Sequence, residues 1–226
     1  TIKYMYGNRT AVYTGDYILA RALEIITTIQ NQEVHRVLAN TLVKVVEGEI
    51  KQIADKYNFN QTLRAYLQRI KRKTALLIAM SCKLGALASE APKEYVRYLY
   101  QYGYHVGMSF QIIDDILDFT ASPKELGKPT GSDLIQGNIT LPVLFALEDD
   151  AFRAKVTQLF SAEQPIDADM MEWLIDDLKR SGAIEKSYQI SNRYLHKAIR
   201  SVNKLPDHNA KKSLQIIADI IGKRRY

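Results

Sequence analysis

Residues 110–118 place three carboxylates in a stretch that is otherwise apolar enough to form part of a core. A helix turns by about 100° per residue, so Asp114 and Asp118 share one face and Asp115 lies beside them. Carboxylates this close repel one another unless cations neutralise them. Oxygen ligands at one-turn spacing suit Mg²⁺, which keeps several waters and shares the rest of its shell with phosphates. The alternative interpretation is a solvated acidic face.

Helical periodicity dominates the rest of the chain, and the alternation typical of strands is scarce. It predicts helices near 10–29, 32–57, 61–71, 73–89, 92–119, 139–148, 150–160, 168–181, 183–203 and 208–222. Long helices with short connections predict an all-α bundle. No low-complexity linker divides the chain, so we expect one domain over 1–226. The main loop, 120–138, contains three glycines and two prolines, which we expect to stop any helix.

Composition indicates an ordinary globular protein, with 46% hydrophobic and 25% charged residues. No run approaches the roughly 20 apolar residues of a membrane span. The single cysteine, Cys82, excludes an internal disulfide framework and fits a reducing cytoplasm. The net charge of +6 is uneven, because residues 186–226 hold ten Lys or Arg against two acids. This basic end could attract an anionic membrane surface, but it contains no nucleic-acid motif, so a solvated face or a partner contact is favoured.

Four further residues could bind an anion near the carboxylates. Gln111 lies one turn before Asp114, and its alternative role is helix packing. Lys128 follows in the loop, where it could fold back as a point charge for phosphate oxygens or simply be solvated. Lys73 and Thr74 are predicted at the start of a helix, whose free N–H groups would favour an anion. Their alternative is a basic surface patch with Thr74 as a cap.

The helix that follows Lys73 is apolar and rich in small residues, which permit either close helix packing or a channel for a slender apolar ligand. Carboxylates for divalent cations, two lysines for phosphates and an apolar helical interior together suit a diphosphate that carries a hydrocarbon tail. The chain has no P-loop motif, so a nucleotide-phosphate site of that kind is not expected.

These motifs resemble those of the trans-isoprenyl (polyprenyl) diphosphate synthase family. Residues 110–118 and 127–134 are similar to its second aspartate-rich motif and lysine loop, and 137–143 continue the likeness. Lys73 and Thr74 match its Lys-Thr pair, and residues 15–17 match its Gly-Asp-hydrophobic element. The resemblance implies an isoprenoid synthase-type bundle around a central apolar cavity. It also implies Mg²⁺-dependent condensation of isopentenyl diphosphate with an allylic diphosphate, with Mn²⁺ as a substitute cation.

The resemblance implies roles for individual residues. Asp114, Asp115 and Asp118 would bind the metal, and Lys73 and Lys128 would act with the first two in catalysis. The allylic diphosphate would be bound by Lys73, Thr74, Gln111 and Lys128.

Residues 69–79 and the ending 221–226 are similar to the large catalytic subunits (component II) of two-component heptaprenyl diphosphate synthases. This implies a small helical component I as partner, heptaprenyl diphosphate for the menaquinone side chain as product, and peripheral membrane contact on product release. Homodimeric hexaprenyl- to decaprenyl-forming relatives share the main motifs and remain an alternative. Terpene cyclases and a non-catalytic helical regulatory subunit are weaker ones.

Two elements of the family are absent from this sequence. The first aspartate-rich motif, with its paired arginines, and the isopentenyl diphosphate-binding element would precede Thr1. We therefore expect that the parent protein carries them and that the 226 residues alone are inactive.

Overall fold

A computed structural model describes residues 1–161 and 168–224 of the chain. Every regular element in these ranges is helical, which confirms the predicted all-α class. In chain order the elements are α1 (Ile2–Thr27), α2 (Gln32–Ala54), α3 (Leu63–Ile70), a π-helical turn (Lys71–Ala75), α4 (Leu76–Ala88), α5 (Lys93–Thr120), α6 (Pro123–Leu126), α7 (Ser132–Ile135), α8 (Leu141–Ala146), α9 (Asp150–Ser161), α10 (Ala168–Arg180), α11 (Ala183–Val202) and α12 (Asn209–Lys223).

The differences from the predicted helices concern their ends and connections. α1 begins at Ile2 rather than near residue 10, and it bends at Gly7, whose φ of +83° lies in the left-handed region. α3, the π-helical turn and α4 follow one another without a break, although the sequence predicts two separate helices. Arg225 and Tyr226, which end the predicted motif 221–226, lie outside the described residues.

The expectation that the loop 120–138 contains no helix is wrong, because α6 and α7 each form one turn within it. α6 begins with a capping box: the Glu125 N–H donates to the Ser122 hydroxyl, and the Ser122 N–H donates to the Glu125 carboxylate. Pro123 occupies the first helical position, where a missing N–H costs nothing. α6 is therefore stabilised by local hydrogen bonds at its N-terminus.

α5 is the central helix of the bundle, and it packs against both α4 and α11. Its Ile112 and Ile116 are fully buried in a cluster with side chains of α3 and α8. Its Phe119 belongs to a second cluster, with residues of α7, α8, α9 and α10. Because its apolar residues are held in two cores, α5 gives the carboxylates of 114–118 a rigid base.

A second feature of the bundle is a cavity of about 670 Å³ between α2, α4 and α5. Its walls are mostly apolar, with Val37, Leu76, Leu87 and Val96 among the lining residues.

The first helix, α1, has no buried residues. Among the described residues, no helix combines the length and apolar content that crossing a bilayer requires.

α5 lies very close to the π-helical turn and to α4 at two of its glycines. A Cβ on Gly107 would lie 2.6 Å from the Cα of Ala75, and one on Gly103 would lie 2.7 Å from the Ile78 carbonyl oxygen. Both obstacles are backbone atoms, which cannot turn aside as a flexible side chain could. Small residues could permit either close helix packing or a ligand channel. At these positions the structure shows close packing.

Gly107→Ala should therefore destabilise the fold. We expect the free energy of unfolding to fall by about 2–3 kcal/mol, as for other overpacked cores, because the added methyl displaces the π-helical turn. The matched control is Gly85→Ala in α4, where nothing lies within 4 Å of the position that the new Cβ would take. Urea unfolding should show that control unchanged or up to about 1 kcal/mol more stable. Equal effects of the two substitutions would contradict the close contact.

Candidate active site

A cavity of about 140 Å³ lies where α2, α3 and the π-helical turn face α5 and the loop that follows it. Its ionisable lining residues balance: Arg69, Lys73 and Lys128 are cationic, and Asp114, Asp115 and Asp133 are anionic. The remaining lining residues are Gln52, Ile70, Gln111, Asn138 and Thr140. Five of the seven predicted site residues therefore line one cavity. The other two are Thr74, which contacts the cavity residue Gln111, and Asp118.

Asp115 is the most constrained of the three aspartates. Its side chain lines the cavity although the residue is only 4% exposed. The Tyr66 hydroxyl donates to one carboxylate oxygen at 2.6 Å, and the Gln111 amide donates to the other at 2.9 Å. Thr74 in turn donates to the Gln111 oxygen at 2.6 Å. The carboxylate plane is thus fixed from both sides.

Asp118 is turned towards the loop rather than the cavity. Its carboxylate is 0% exposed and accepts a hydrogen bond from the Ser132 hydroxyl at 3.0 Å and one from the Asp133 N–H at 3.1 Å. The Lys128 ammonium lies 2.8 Å from it and 3.2 Å from the Asp133 carboxylate. Asp118 does not line the cavity. Although Asp114 and Asp118 were predicted to share one helix face, their side chains therefore do not meet at one site.

Asp114 is the exposed member of the cluster, and it lines the cavity. Tyr66 and Gln111 hold Asp115, and Lys128 holds Asp118, but no described residue forms a hydrogen bond or ion pair with the Asp114 side chain. A free carboxylate beside an enclosed one can accept an external ligand without breaking a contact of the fold.

Lys73 lines the cavity and Thr74 contacts Gln111, but the local structure around them differs from the predicted one. They belong to the π-helical turn inside the continuous segment α3–α4, so the expectation of a helix start with free N–H groups is wrong. Thr62, eight residues before Ile70, caps the N-terminus of that segment instead. π-helical turns are rare and often mark functional sites. The Lys73 ammonium donates to the Gln52 side-chain oxygen at 3.1 Å, which holds it at the cavity.

The protonation of the carboxylates reflects their burial. Burial raises the pKa of the Asp115 carboxyl to about 7, although hydrogen bonds from Tyr66 and Gln111 limit the rise. Burial and the nearby charge of Asp133 also raise the pKa of Asp118, and Lys128 opposes them. Partial burial lowers the pKa of Lys128, but its bonds to Asp118 outweigh this, and the net change is upward.

The raised pKa of Asp115 predicts a pH-dependent stability in cation-free buffer. Between about pH 4 and pH 7 the folded state retains a proton that an unfolded aspartate has released, so stability falls as the pH rises. Asp115→Asn removes this dependence, and at pH 8 it should be more stable than the wild type, by on the order of 3 kcal/mol. At pH 5, about one pH unit above the unfolded pKa, the difference should shrink to about 1 kcal/mol. Urea unfolding with EDTA at both pH values checks this, and parallel pH profiles would contradict it.

The donor chemistry of the cavity fits a hard divalent cation. The candidate ligands are carboxylate oxygens of Asp114 and Asp115, and the described residues contain no cluster of three or more His, Cys, Asp or Glu side chains that could enclose a metal. Such a site leaves most of the coordination shell to water and phosphate, which is the arrangement that Mg²⁺ favours. The raised pKa of Asp115 also supports a cation site, because a bound cation would offset the negative charge of the buried carboxylate.

Sequence reasoning missed several residues of the site. Tyr66 and Gln52 lie on helices away from the motifs, and no local sequence signal distinguishes them. Arg69 begins the recognised stretch 69–79, but no role in the site was predicted for it. Asn138 and Thr140 fall within the motif stretch 137–143 and could have been inferred from it. The Thr140 hydroxyl is buried and has no hydrogen-bond partner among the described residues.

Comparisons with known proteins identify the family of the chain. The family described as polyprenyl synthetase matches residues 1–178. The chain is 53% identical, over all 226 residues, to a protein of Bacillus subtilis (strain 168) named heptaprenyl diphosphate synthase component 2. The chain spans 64% of the length of that relative.

Several crystal structures share the fold, among them the following two. Heptaprenyl diphosphate synthase from Staphylococcus aureus matches with a TM-score of 0.92 and 39% identity, over 100% of this chain and 70% of that one. A polyprenyl synthase from Caulobacter crescentus CB15, complexed with calcium and isoprenyl diphosphate, matches with a TM-score of 0.90 and 26% identity. This match covers 99% of this chain and 69% of that one. The chain has the all-α isoprenoid synthase fold and belongs to the polyprenyl synthetase family.

Proposed function

We propose that the protein containing this chain is the catalytic subunit of a trans-polyprenyl diphosphate synthase. It condenses isopentenyl diphosphate with an allylic diphosphate in a Mg²⁺-dependent reaction, with Mn²⁺ as a substitute. The observation that carries this proposal is the cavity in which Lys73 and Lys128 face Asp114 and Asp115. Its cationic and anionic side chains are equal in number, so a multiply charged diphosphate requires additional positive charge.

The lysines recognise the diphosphate. Lys73 uses one of its three N–H donors on Gln52, and Lys128 is already bonded to Asp118 and Asp133, so each retains a donor for phosphate oxygens. Because their partners hold both ammonium groups in place, little conformational entropy is lost on binding. Gln111 and Thr74 orient the diphosphate from the side of α5 and the π-helical turn.

Asp114 and Asp115 would hold the cation. A bound divalent cation supplies positive charge that stabilises the departing diphosphate. We also propose that further carboxylates come from polypeptide outside these 226 residues. The described part of the chain holds no cluster able to enclose a metal, and the chain spans only 64% of the Bacillus subtilis relative.

In the proposed reaction the allylic carbon–oxygen bond breaks, and its electron pair leaves with the diphosphate. Lys73 and Lys128 stabilise that developing charge from fixed positions. The double bond of isopentenyl diphosphate attacks the allylic cation, and proton loss gives a product five carbons longer.

The proposed product is heptaprenyl diphosphate for the menaquinone side chain, made together with a small component I. The name of the Bacillus subtilis relative, component 2, supports a two-component assembly. The many exposed apolar side chains of α1, Tyr13, Tyr17 and Ile18 among them, support an extensive protein contact. A homodimer with a hexaprenyl- to decaprenyl product is the second candidate. Peripheral membrane contact on product release and a cytoplasmic location complete the proposal.

Product analysis tests this proposal. The intact protein is incubated with isopentenyl diphosphate, farnesyl diphosphate and Mg²⁺, with and without candidate component I, and the dephosphorylated products are chromatographed. We expect a C35 product only when both components are present. A long-chain product without component I would favour the homodimer. Absence of any polyprenyl product under both conditions would favour a non-catalytic subunit.

A further inference from the structure

Tyr66 is a fully buried polar residue next to the candidate site, and none of the motifs includes it. It lies on α3 at 0% exposure, in the apolar cluster that contains Ile112 and Ile116. Its hydroxyl donates to the Asp115 carboxylate at 2.6 Å. A phenol placed in an apolar cluster with its hydroxyl on one oxygen of a cavity carboxylate needs an explanation beyond packing.

The second oxygen of Asp115 is fixed independently. The Gln111 amide nitrogen donates to it at 2.9 Å, and the Gln111 oxygen accepts from Thr74 at 2.6 Å, which sets the orientation of the amide. Each carboxylate oxygen therefore has one lone pair in use and one remaining. With both donors present the carboxylate cannot rotate, and its remaining lone pairs keep a fixed direction.

Both donors depend on one helical segment. Tyr66 lies before the π-helical turn, and Thr74 lies within it, so the segment α3–α4 contacts Asp115 directly and through Gln111. Lys73, beside Thr74, lines the same cavity. The hydrogen bonds thus fix the carboxylate relative to the lysine that faces the same ligand.

We propose that Tyr66 is a positioning residue, whose hydroxyl orients the Asp115 carboxylate for the divalent cation that accompanies the allylic diphosphate. This inference rests on the proposed function. It assigns to a residue of α3, outside the recognised motifs, control over the cation dependence of substrate binding. A purely structural role, in which the hydroxyl only satisfies a buried charge, predicts a loss of stability without a change in that dependence.

The test uses Tyr66→Phe in the intact protein, because phenylalanine keeps the ring and removes only the donor. Calorimetry measures binding of farnesyl thiolodiphosphate, in which sulfur replaces the ester oxygen and slows cleavage, over a series of Mg²⁺ concentrations. We expect the Mg²⁺ concentration for half-maximal binding to rise about tenfold, and the stoichiometry of binding at saturating Mg²⁺ to remain as in the wild type.

Tyr102→Phe is the matched control. Tyr102 is also a buried tyrosine, at 2% exposure, but its hydroxyl donates to the Leu214 carbonyl oxygen at 2.7 Å, away from the cavity. Both variants lose one tyrosine hydroxyl and should lower the melting temperature, Tyr66→Phe by more because its acceptor is a buried carboxylate. Only Tyr66→Phe should shift the Mg²⁺ curve. Equal Mg²⁺ curves for the two variants would overturn the inference.

Two further outcomes are informative. If Tyr66→Phe folds only when combined with Asp115→Asn, the hydroxyl merely offsets a buried charge, and the inference is overturned. If the wild-type protein binds no analogue with or without Mg²⁺, the proposed function fails and the inference with it. Wild-type binding with an unshifted Tyr66→Phe curve overturns the inference alone.

Discussion

Replacing Asp114 with alanine in the intact protein should lower kcat by about 10²–10³-fold, the range found when one preorganised electrostatic group is removed from an active site. Asp114 is exposed, lines the cavity and has no hydrogen-bond or ion-pair partner among the described residues, so no contact of the fold is lost. Helix content and melting temperature should therefore match those of the wild type. Steady-state kinetics and circular dichroism on the same preparation measure both quantities.

The matched control for this prediction is Glu172→Ala on α10. Glu172 is also an exposed helical acid without a partner among the described side chains, and it lies outside the cavity. Its removal should leave kcat unchanged. A loss of activity of less than about threefold in Asp114→Ala would remove Asp114 from the cation site.

Asp118→Ala should disorder the loop that carries Lys128, and lower kcat/KM by about 10²-fold through that loss. The buried carboxylate accepts from Ser132 and from the Asp133 N–H and pairs with Lys128, so alanine leaves three donors without their acceptor. Amide hydrogen exchange should rise across residues 127–133 and remain unchanged in the first half of α5.

Asp118→Asn separates the two roles that Asp118 could have. The asparagine oxygen can still accept from Ser132 or the Asp133 N–H, so the loop should stay more ordered and kcat/KM should fall less than in the alanine variant. If Asp118 acted mainly as a ligand of the cation, both variants would lose activity equally and neither would change hydrogen exchange in the loop. That result would contradict the role of Asp118 as a loop anchor.

The sequence could predict the site because its chemistry is concentrated in local motifs. Asp114, Asp115, Lys128, Lys73 and Gln111 could each be assigned from spacing and resemblance, and the structure brings all five to one cavity. α5 could be predicted almost to the residue, since its apolar positions recur with helical periodicity over 28 residues.

The remaining features depend on contacts between distant segments, which spacing does not encode. Asp114 and Asp118 share a helix face, but Ser132 and Lys128 draw Asp118 into the loop, 10–14 residues later in the chain. Tyr66 reaches Asp115 across 49 residues. The π-helical turn also has no sequence signature, and the basic run before Thr74 suggests a helix start rather than a continuous helix. α6 is different, because Ser122, Pro123 and Glu125 form a recognisable capping signal.

In the absence of a ligand, the burial of Asp115 opposes the ionisation of its carboxyl group. Burial raises the pKa of Asp115 to about 7, so the ionised carboxylate is held at a cost to stability. Residues that violate the usual rules for buried charge are expected at functional sites. A ligand that brings positive charge would relieve that cost, which links the stability of the metal-free protein to its binding of a cation.

The most direct test of the central claim is calorimetric binding of farnesyl thiolodiphosphate to the intact protein in the presence and absence of Mg²⁺. We expect saturable one-site binding that requires Mg²⁺, is weakened at least tenfold by Asp114→Ala, and is unaffected by Glu172→Ala. Binding that is independent of Mg²⁺, or unchanged by Asp114→Ala, would contradict the assignment of this cavity as a cation-dependent allylic diphosphate site.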